Sequence, residues 1–264
     1  MLYGAMNFPA KPILEELETA AELGFDYLEL AMDPPQAHHE VVRKQKKALS
    51  KALESAGMKL LCHLPIFVNP ADPTPSIREA SLNEVLESLA VAAELQALKV
   101  VLHPSSFKGP SLWAIDQLRE HARTSLEVII QKADDLGICI CIENLFPQLN
   151  SLTEPDDFIG IFNRFPKLKM TLDIGHANIR NVEGNRSIQF IERFPDRIGH
   201  IHASDNSGNG DDHLPIGTGT VDFPKIVEAL RGIGYQETVT LEVFSRDKDY
   251  LKISREKFAA MYGA

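Results

Sequence analysis

Six metal-competent side chains recur along the chain at near-regular spacing: His63, His103, Glu143, Asp173, His202 and Glu242, with intervals of 40, 40, 30, 29 and 40 residues. Each ends, or nearly ends, a short apolar run, such as Leu60-Leu61-Cys62-His63, Val100-Val101-Leu102-His103, Ile140-Cys141-Ile142-Glu143 and Met170-Thr171-Leu172-Asp173. A strand, its loop and a crossover helix take about this many residues in a β/α barrel, where ~250 residues hold eight such units. That architecture gathers the C-terminal ends of all strands at one mouth. Ligands scattered along the sequence then converge on one site.

The rest of the chain fits the pattern. Eight strands are expected near residues 2–7, 26–31, 58–63, 98–103, 138–143, 168–173, 198–203 and 238–243. Residues 13–23 carry apolar side chains at helical spacing and stop at Gly24, and Gly57 and Gly137 mark two further helix-to-strand transitions. Apolar positions between Leu112 and Leu136 predict a long amphipathic helix, and helices over 222–231 and 247–262 complete the alternation. No Pro/Gly/Ser linker or low-complexity tract divides the 264 residues, so 1–264 reads as one domain. A doubly wound open sheet would also alternate strands and helices. It would concentrate its ligands at one switch point after a glycine-rich turn, and no G-x-G-x-x-G or P-loop follows a strand here. The expected class is α/β, a (β/α)8 TIM barrel with a metal site at its C-terminal mouth.

Charge and cysteine content narrow the partners. Lys+Arg 27 against Asp+Glu 37 gives −10, which disfavours nonspecific binding to nucleic acid or an anionic membrane. Cys62, Cys139 and Cys141 all fall in expected strands and read as buried thiols of a reducing compartment. No signal-like segment opens the sequence and no apolar run approaches a membrane span, so a cytoplasmic location is expected.

Three more candidate ligands lie in the loops: His176 after the sixth strand, and Asp211 and His213 after the seventh. Imidazole with carboxylate suits zinc, manganese, cobalt or iron, and the loops offer no thiolate. So many acids around one mouth would repel each other without cations. Other residues have plainer readings. His200 lies two positions before His202 on the same strand face and reads as a supporting residue. His38, His39 and His121 read as loop or helix-surface residues, and Asp205 and Asp212 as solvated loop acids or ligands. Glu29 lines the barrel or makes a core salt bridge. Phe67, Phe146 and Phe244 either floor a pocket or pack between loops.

The motifs His63-Leu64-Pro65, Leu102-His103-Pro104, Ile142-Glu143-Asn144, Asp173-Ile174-Gly175-His176, His202-Ala203-Ser204-Asp205, His213-Leu214-Pro215-Ile216-Gly217-Thr218-Gly219 and Leu241-Glu242 appear in this order. In that order the chain resembles the xylose isomerase-like TIM barrels, a superfamily joining sugar isomerases and epimerases with the endonuclease IV repair enzymes. Resemblance to the epimerases implies one divalent metal held by Glu143, Asp173, His202 and Glu242. Resemblance to endonuclease IV implies three zinc ions: one on His63, His103 and Glu143, a second on Glu143, Asp173, His202 and Glu242, a third on His176, Asp211 and His213. The expected cofactor is therefore one to three divalent ions, manganese, zinc, cobalt or magnesium.

Two chemistries follow from the resemblance. As an isomerase or epimerase, the protein would polarise a sugar carbonyl and exchange the neighbouring carbon-bound proton through Glu143 and Glu242 as general base and acid. His176, Asn144 and Phe67 would contact the substrate. As a phosphodiesterase acting at abasic sites in DNA, it would generate a metal hydroxide beside Glu143. The number of ligands favours the hydrolase. Electrostatics favours the isomerase, because phosphate contacts need basic mouth loops, and loop 203–222 has no Lys or Arg and carries Asp205, Asp211, Asp212 and Asp222. The endonuclease family's tyrosine after the first histidine is Ile66 here, and the arginine that epimerases often place after His202 is replaced by Asp211-Asp212-His213. The reading adopted is a metal-dependent sugar or sugar phosphate isomerase/epimerase, with the zinc phosphodiesterase as its rival and a non-catalytic sugar- or metal-binding barrel as a third case. A small carbohydrate is the expected partner, nucleic acid is disfavoured, no membrane is involved, and a homo-oligomer is compatible with barrels of this kind.

Overall fold

The computed structural model describes residues 1–181 and 184–263. Eight strands close into a parallel barrel in sequence order, β1 pairing with both β2 and β8: β1 (Leu2–Met6), β2 (Tyr27–Ala31), β3 (Lys59–His63), β4 (Val100–Leu102), β5 (Ile140–Glu143), β6 (Lys169–Asp173), β7 (Ile198–Ala203) and β8 (Thr238–Leu241). Each lies inside its expected span. Helices α1 (Ile13–Glu22), α2 (His39–Ala56), α3 (Pro75–Glu94), α4 (Ile115–Leu136), α5 (Pro155–Arg164), α6 (Ile174–Asn178), α7 (Arg186–Arg193), α8 (Phe223–Gly232) and α9 (Asp249–Gly263) fill the crossovers.

The helix expected from Leu112 begins instead at Ile115, because Gly109–Ala114 forms a tighter 3-10 turn with Pro110 near its start. The glycine stops behave as expected. Gly57 and Gly137 cap α2 and α4 at φ 65° and 68°, a left-handed conformation that side chains with a Cβ resist.

Strand alternation sorts buried residues into two cores. Leu28, Leu30, Leu60, Val100, Leu102, Ile140, Ile142, Met170, Leu172, Ile201, Val239 and Leu241 join one large apolar cluster with the helices. The intervening positions, Tyr27, Glu29, Leu61, Val101, Cys141, Thr171, His200, Thr238 and Thr240, are just as buried but lie outside that cluster and fill the barrel. Bulky aliphatic residues usually dominate that interior. Here its β2–β7–β8 side is polar. Of the three free cysteines, Cys62 and Cys141 are buried as expected, whereas Cys139 is exposed, since it precedes β5 at the barrel's N-terminal rim. Among the described residues no helix is long and apolar enough to cross a membrane.

Candidate active site

The alternation that buries Leu28 and Leu172 outward turns the last residue of β3, β5 and β6 inward, so His63, Glu143 and Asp173 face the axis with His202 of β7 and Glu242 just beyond β8. His202 is the hub. Its Nδ1 lies 3.1 Å from Glu143 Oε1, 3.7 Å from Asp173 Oδ2 and 3.6 Å from Glu242 Oε2. On one flank, His63 Nε2 stands 3.3 Å from the other Glu143 oxygen. On the other flank, Asp211 Oδ2 lies 3.3 Å from His176 Nε2 and 3.1 Å from His213 Nε2.

Hydrogen bonds behind each ring decide which nitrogen faces the cluster. His63 Nδ1 is 2.8 Å from Leu64 O, His103 Nδ1 3.0 Å from Pro104 O, His176 Nδ1 2.9 Å from Asn144 O and His213 Nδ1 3.1 Å from Glu242 O. A carbonyl only accepts, so these four rings carry a proton on Nδ1 and leave Nε2 free to accept; His176 Nδ1 also lies 3.5 Å from Asp173 Oδ2 and 3.6 Å from Glu143 Oε1, and His213 Nδ1 3.8 Å from Glu242 Oε2. His202 is reversed. Its Nε2 meets Glu29 Oε1 at 3.0 Å and its Nδ1 enters the cluster.

The charges are strongly coupled. Burial alone would raise the Glu143 carboxyl, but His202 and His63 outweigh it and hold the group well below the ordinary range. Glu242 goes the other way, pushed up to about 7 by burial. Burial alone would lower His63 and His213. The hydrogen bond to Glu143, and the charges of Glu242 and Asp211 respectively, outweigh it and hold each at about 9. Protons on the rings thus do the balancing that a cation would do. Three buried carboxylate oxygens, Asp173 Oδ2, Asp211 Oδ1 and Glu242 Oε2, have no hydrogen-bond donor. An unsatisfied buried acceptor costs about 1–3 kcal/mol, more when charged. Groups of three ligand atoms within 4.8 Å occur at His63, Glu143 and His202, at Glu143, Asp173 and His176, and at Asp173, His202 and Glu242. The donor set and the orphaned oxygens fit a divalent metal.

Other expected residues fall differently. His103 stands at the cluster's edge, half-buried, making no ion pair with its carboxylates among the described residues; burial pushes it down to about 4. Asn144, expected at the substrate, is fully buried, and both ends of its amide bond the backbone of Asp173, tying β5 to β6. Phe67 is 75% exposed on the loop after β3, whose backbone N–H groups donate to Asp33. Phe146 packs on the His176 ring at 5.0 Å and Phe244 on His213 at 4.5 Å, so these aromatics wall the second flank. Asp205 is not solvated: it is buried and accepts from the N–H groups of Asn206, Gly217, Gly219 and Val221, shaping the loop that carries Asp211 and His213. A Cβ at Gly219 would lie 2.2 Å from Asn206 O, which explains the glycine. Asp212 is exposed and accepts from Ser207. His39 is buried rather than superficial; with His38, which caps α2, it reaches Glu84. The positive end of α2 opposes a cation there.

A cavity of about 590 Å³ between α4 and α5 touches the cluster only at His103. Its walls combine Leu102, Leu126, Ile129, Ile161 and Phe165 with Arg119, Arg123, Asp157 and Arg164.

A closed (β/α)8 barrel whose mouth carries a buried His/carboxylate cluster is the class that fold and site define. The chain belongs to the xylose isomerase-like TIM barrel family, whose model matches residues 17–262. An uncharacterized protein of Methanocaldococcus jannaschii is 30% identical over 97% of this chain and 90% of its own length. An L-ribulose-5-phosphate 3-epimerase of Escherichia coli is 25% identical over 88% of this chain and 82% of its own. Among solved structures, a D-tagatose 3-epimerase-like protein superimposes with a TM-score of 0.85 and 26% identity, covering 100% of this chain and 97% of that one.

Proposed function

We propose that this protein is a divalent-metal-dependent sugar epimerase or isomerase formed by a single domain over 1–264, with Glu143, Asp173, His202 and Glu242 as the metal-holding set. One observation carries the reading: three carboxylates converge on His202 Nδ1, two of them through oxygens that no donor satisfies. The sugar epimerases among its relatives and structural neighbours support the substrate class.

A bound divalent ion supplies Lewis-acid polarisation of the sugar carbonyl, which acidifies the neighbouring C–H. The chain's own residues do the rest. Glu143, held ionised, takes the proton from that carbon. Glu242 delivers one to the other face. His176 and His213, backed by Phe146 and Phe244, orient the sugar oxygens and keep water from the carbanion. Phe67 covers the outer end of the substrate.

The test is solvent isotope incorporation. Metal-loaded protein is incubated in D2O with D-tagatose, D-psicose and L-ribulose 5-phosphate, and the sugars are analysed by mass spectrometry. Deuterium at one carbon, together with the epimer, is expected for at least one sugar, and is absent in Glu143→Gln. A fully metallated protein that labels none of a wide ketose and aldose panel overturns the reading.

One observation favours the rival. His176, Asp211 and His213 form a further facing group with its own orphaned oxygen, Asp211 Oδ1, more donors than a mononuclear isomerase needs. Zinc-dependent nicking of a duplex with a single abasic site, lost in Glu143→Gln, would move the assignment to a phosphodiesterase.

A further inference from the structure

Glu29 stands in the middle of β2 with no exposed surface, one layer below the cluster, where barrels usually bury an aliphatic side chain. Three donors converge on its carboxylate. His202 Nε2 reaches Oε1 and His200 Nε2 reaches Oε2, each at 3.0 Å, and the Thr240 hydroxyl also donates to Oε2. Because Thr240 spends its proton on Glu29, the Tyr27 hydroxyl 2.8 Å away must donate to Thr240. Thr238, 2.8 Å from His200 Nδ1, closes the network on its far side.

Burying an ion pair costs more desolvation than burying a well-packed hydrocarbon of the same volume, so the network is a poor device for stability alone. Its specific consequence is at His202. The other four rings of the cluster are turned by backbone carbonyls, which are fixed by the fold itself. His202 alone is turned by a side chain, and its Nδ1 alone is left untied by any backbone carbonyl, whereas the Nδ1 atoms of His176 and His213, also near the carboxylates, are each held by one.

We infer that Glu29 is a positioning residue: it holds the Nε2 proton of His202 inside the barrel, so that Nδ1 is the atom offered to Glu143, Asp173, Glu242 and any divalent ion among them. The inference rests on the metal-dependent reading above. A carboxylate behind a ligating imidazole both orients the ring and makes it a stronger donor, and losing such a partner weakens metal binding about 10- to 100-fold.

The test compares Mn²⁺ binding, read as free Mn²⁺ by electron paramagnetic resonance, in EDTA-stripped wild type, Glu29→Gln and Thr238→Val. Gln keeps the shape but removes the negative charge behind the His202 ring that makes it a stronger donor, and replaces one of the two accepting oxygens with an N–H donor. Thr238→Val removes the hydrogen bond to His200 and a long one, 3.5 Å, to Gly199 O, and touches neither Glu29 nor His202 directly. Wild type is expected to bind, Glu29→Gln to bind about 10- to 100-fold more weakly, and Thr238→Val to match wild type even if its melting temperature falls. Wild-type affinity in Glu29→Gln, or an equal loss in both variants, would overturn the role of Glu29 while leaving the metal site standing. No Mn²⁺ binding by the wild type would overturn the metal reading and this inference together. Should Glu29→Gln fail to fold, long-range 15N–1H spectra of the zinc-loaded wild type decide: metal on Nδ1 of His202 with an exchange-protected proton on Nε2 is expected, and the opposite arrangement refutes the role.

Discussion

The two sides of every strand teach opposite lessons. The outward side is a continuous hydrocarbon layer from Leu28 to Leu241, joined by Ile13, Phe158, Phe190 and Phe258 from the helices. Its stability comes from removing apolar surface from water, and any residue of suitable size serves. The inward side, a few ångströms away, buries Glu29, His200, His202, Glu143 and Asp173 at 2% exposure or less. There each group must match the hydrogen bond or charge of its neighbour, and a change of one proton is felt across the mouth. Stability and chemistry are thus separated by the pleat of the sheet.

The comparison breaks most sharply at its two extremes. Glu143→Gln keeps volume and removes the one carboxylate shared by His63 and His202. Turnover is expected to fall about 100- to 10,000-fold, the range for losing a positioned general base, with the far-ultraviolet circular dichroism unchanged. Activity near wild type would take Glu143 out of the chemistry. Phe158→Ala is its converse. The ring is fully buried, 5.7 Å from Phe162 and 5.4 Å from Phe190, between α5 and α7. Urea denaturation should show a loss of about 3–5 kcal/mol, while kcat per folded molecule stays the same. A kcat that fell with stability would mean that the outer layer sets the geometry of the mouth.

The outward layer was also the legible one. Period-2 runs such as Lys169-Met170-Thr171-Leu172-Asp173 state which residues face the helices, and the acid or histidine closing each run states where the mouth lies. What the sequence could not show is which groups meet. Glu29 reads equally as barrel lining or core ion pair until β2 is known to stand opposite β7, and its partners lie 171 and 173 residues away. Asp205 looks like one acid among several in a polar loop, and only the turn over Gly217 and Gly219 brings four N–H donors onto it. Asn144 carries a family motif that suggests contact with substrate, yet its amide is taken by the next strand. Cys139 shares a strand face with Cys141, but the pattern does not say where the barrel floor opens to water. Each miss is a tertiary partner that local periodicity does not encode.

A smaller effect, read through pH, sharpens the inner half of the comparison. The imidazoles of His63 and His213 titrate at about 9 in the fold against 6.5 free, so the stability they contribute is full below about 6.5 and lost as pH rises through 9. Glu242 acts in the same direction. Its folded value of about 7 against 4.5 means that stability falls as pH rises between those values, since the native state holds the proton longer. Glu143, held well below its ordinary value, is ionised throughout and adds no slope. Below about 6.5 the lowered imidazoles of His103 and His200 act in the opposite direction, so EDTA-treated protein should melt at progressively lower temperature from pH about 6.5 to about 9. A divalent ion displaces those same protons, so the stabilisation from added Mn²⁺ should widen over that window. Paired melts by differential scanning fluorimetry check it, and parallel curves would show that protons and metal do not compete for these ligands.

The smallest expected effect concerns a charge pair that the fold leaves in water. Asp156, 77% exposed in the first turn of α5, meets Arg193 in the last turn of α7 at 2.9 Å, about the distance from His202 to Glu29. The distances match and the surroundings do not. Solvent and salt screen the outer pair, the helix ends already favour each charge, and both side chains lose rotamer freedom when they pair. Asp156→Asn should then cost less than about 1 kcal/mol in urea, less still at high salt, with turnover and Mn²⁺ affinity untouched. A larger loss would mean that this pair clamps α5 to α7 over the Phe158–Phe190 contact. Polar pairing would then carry part of the outer layer as well, and the division drawn at the sheet would lie further out.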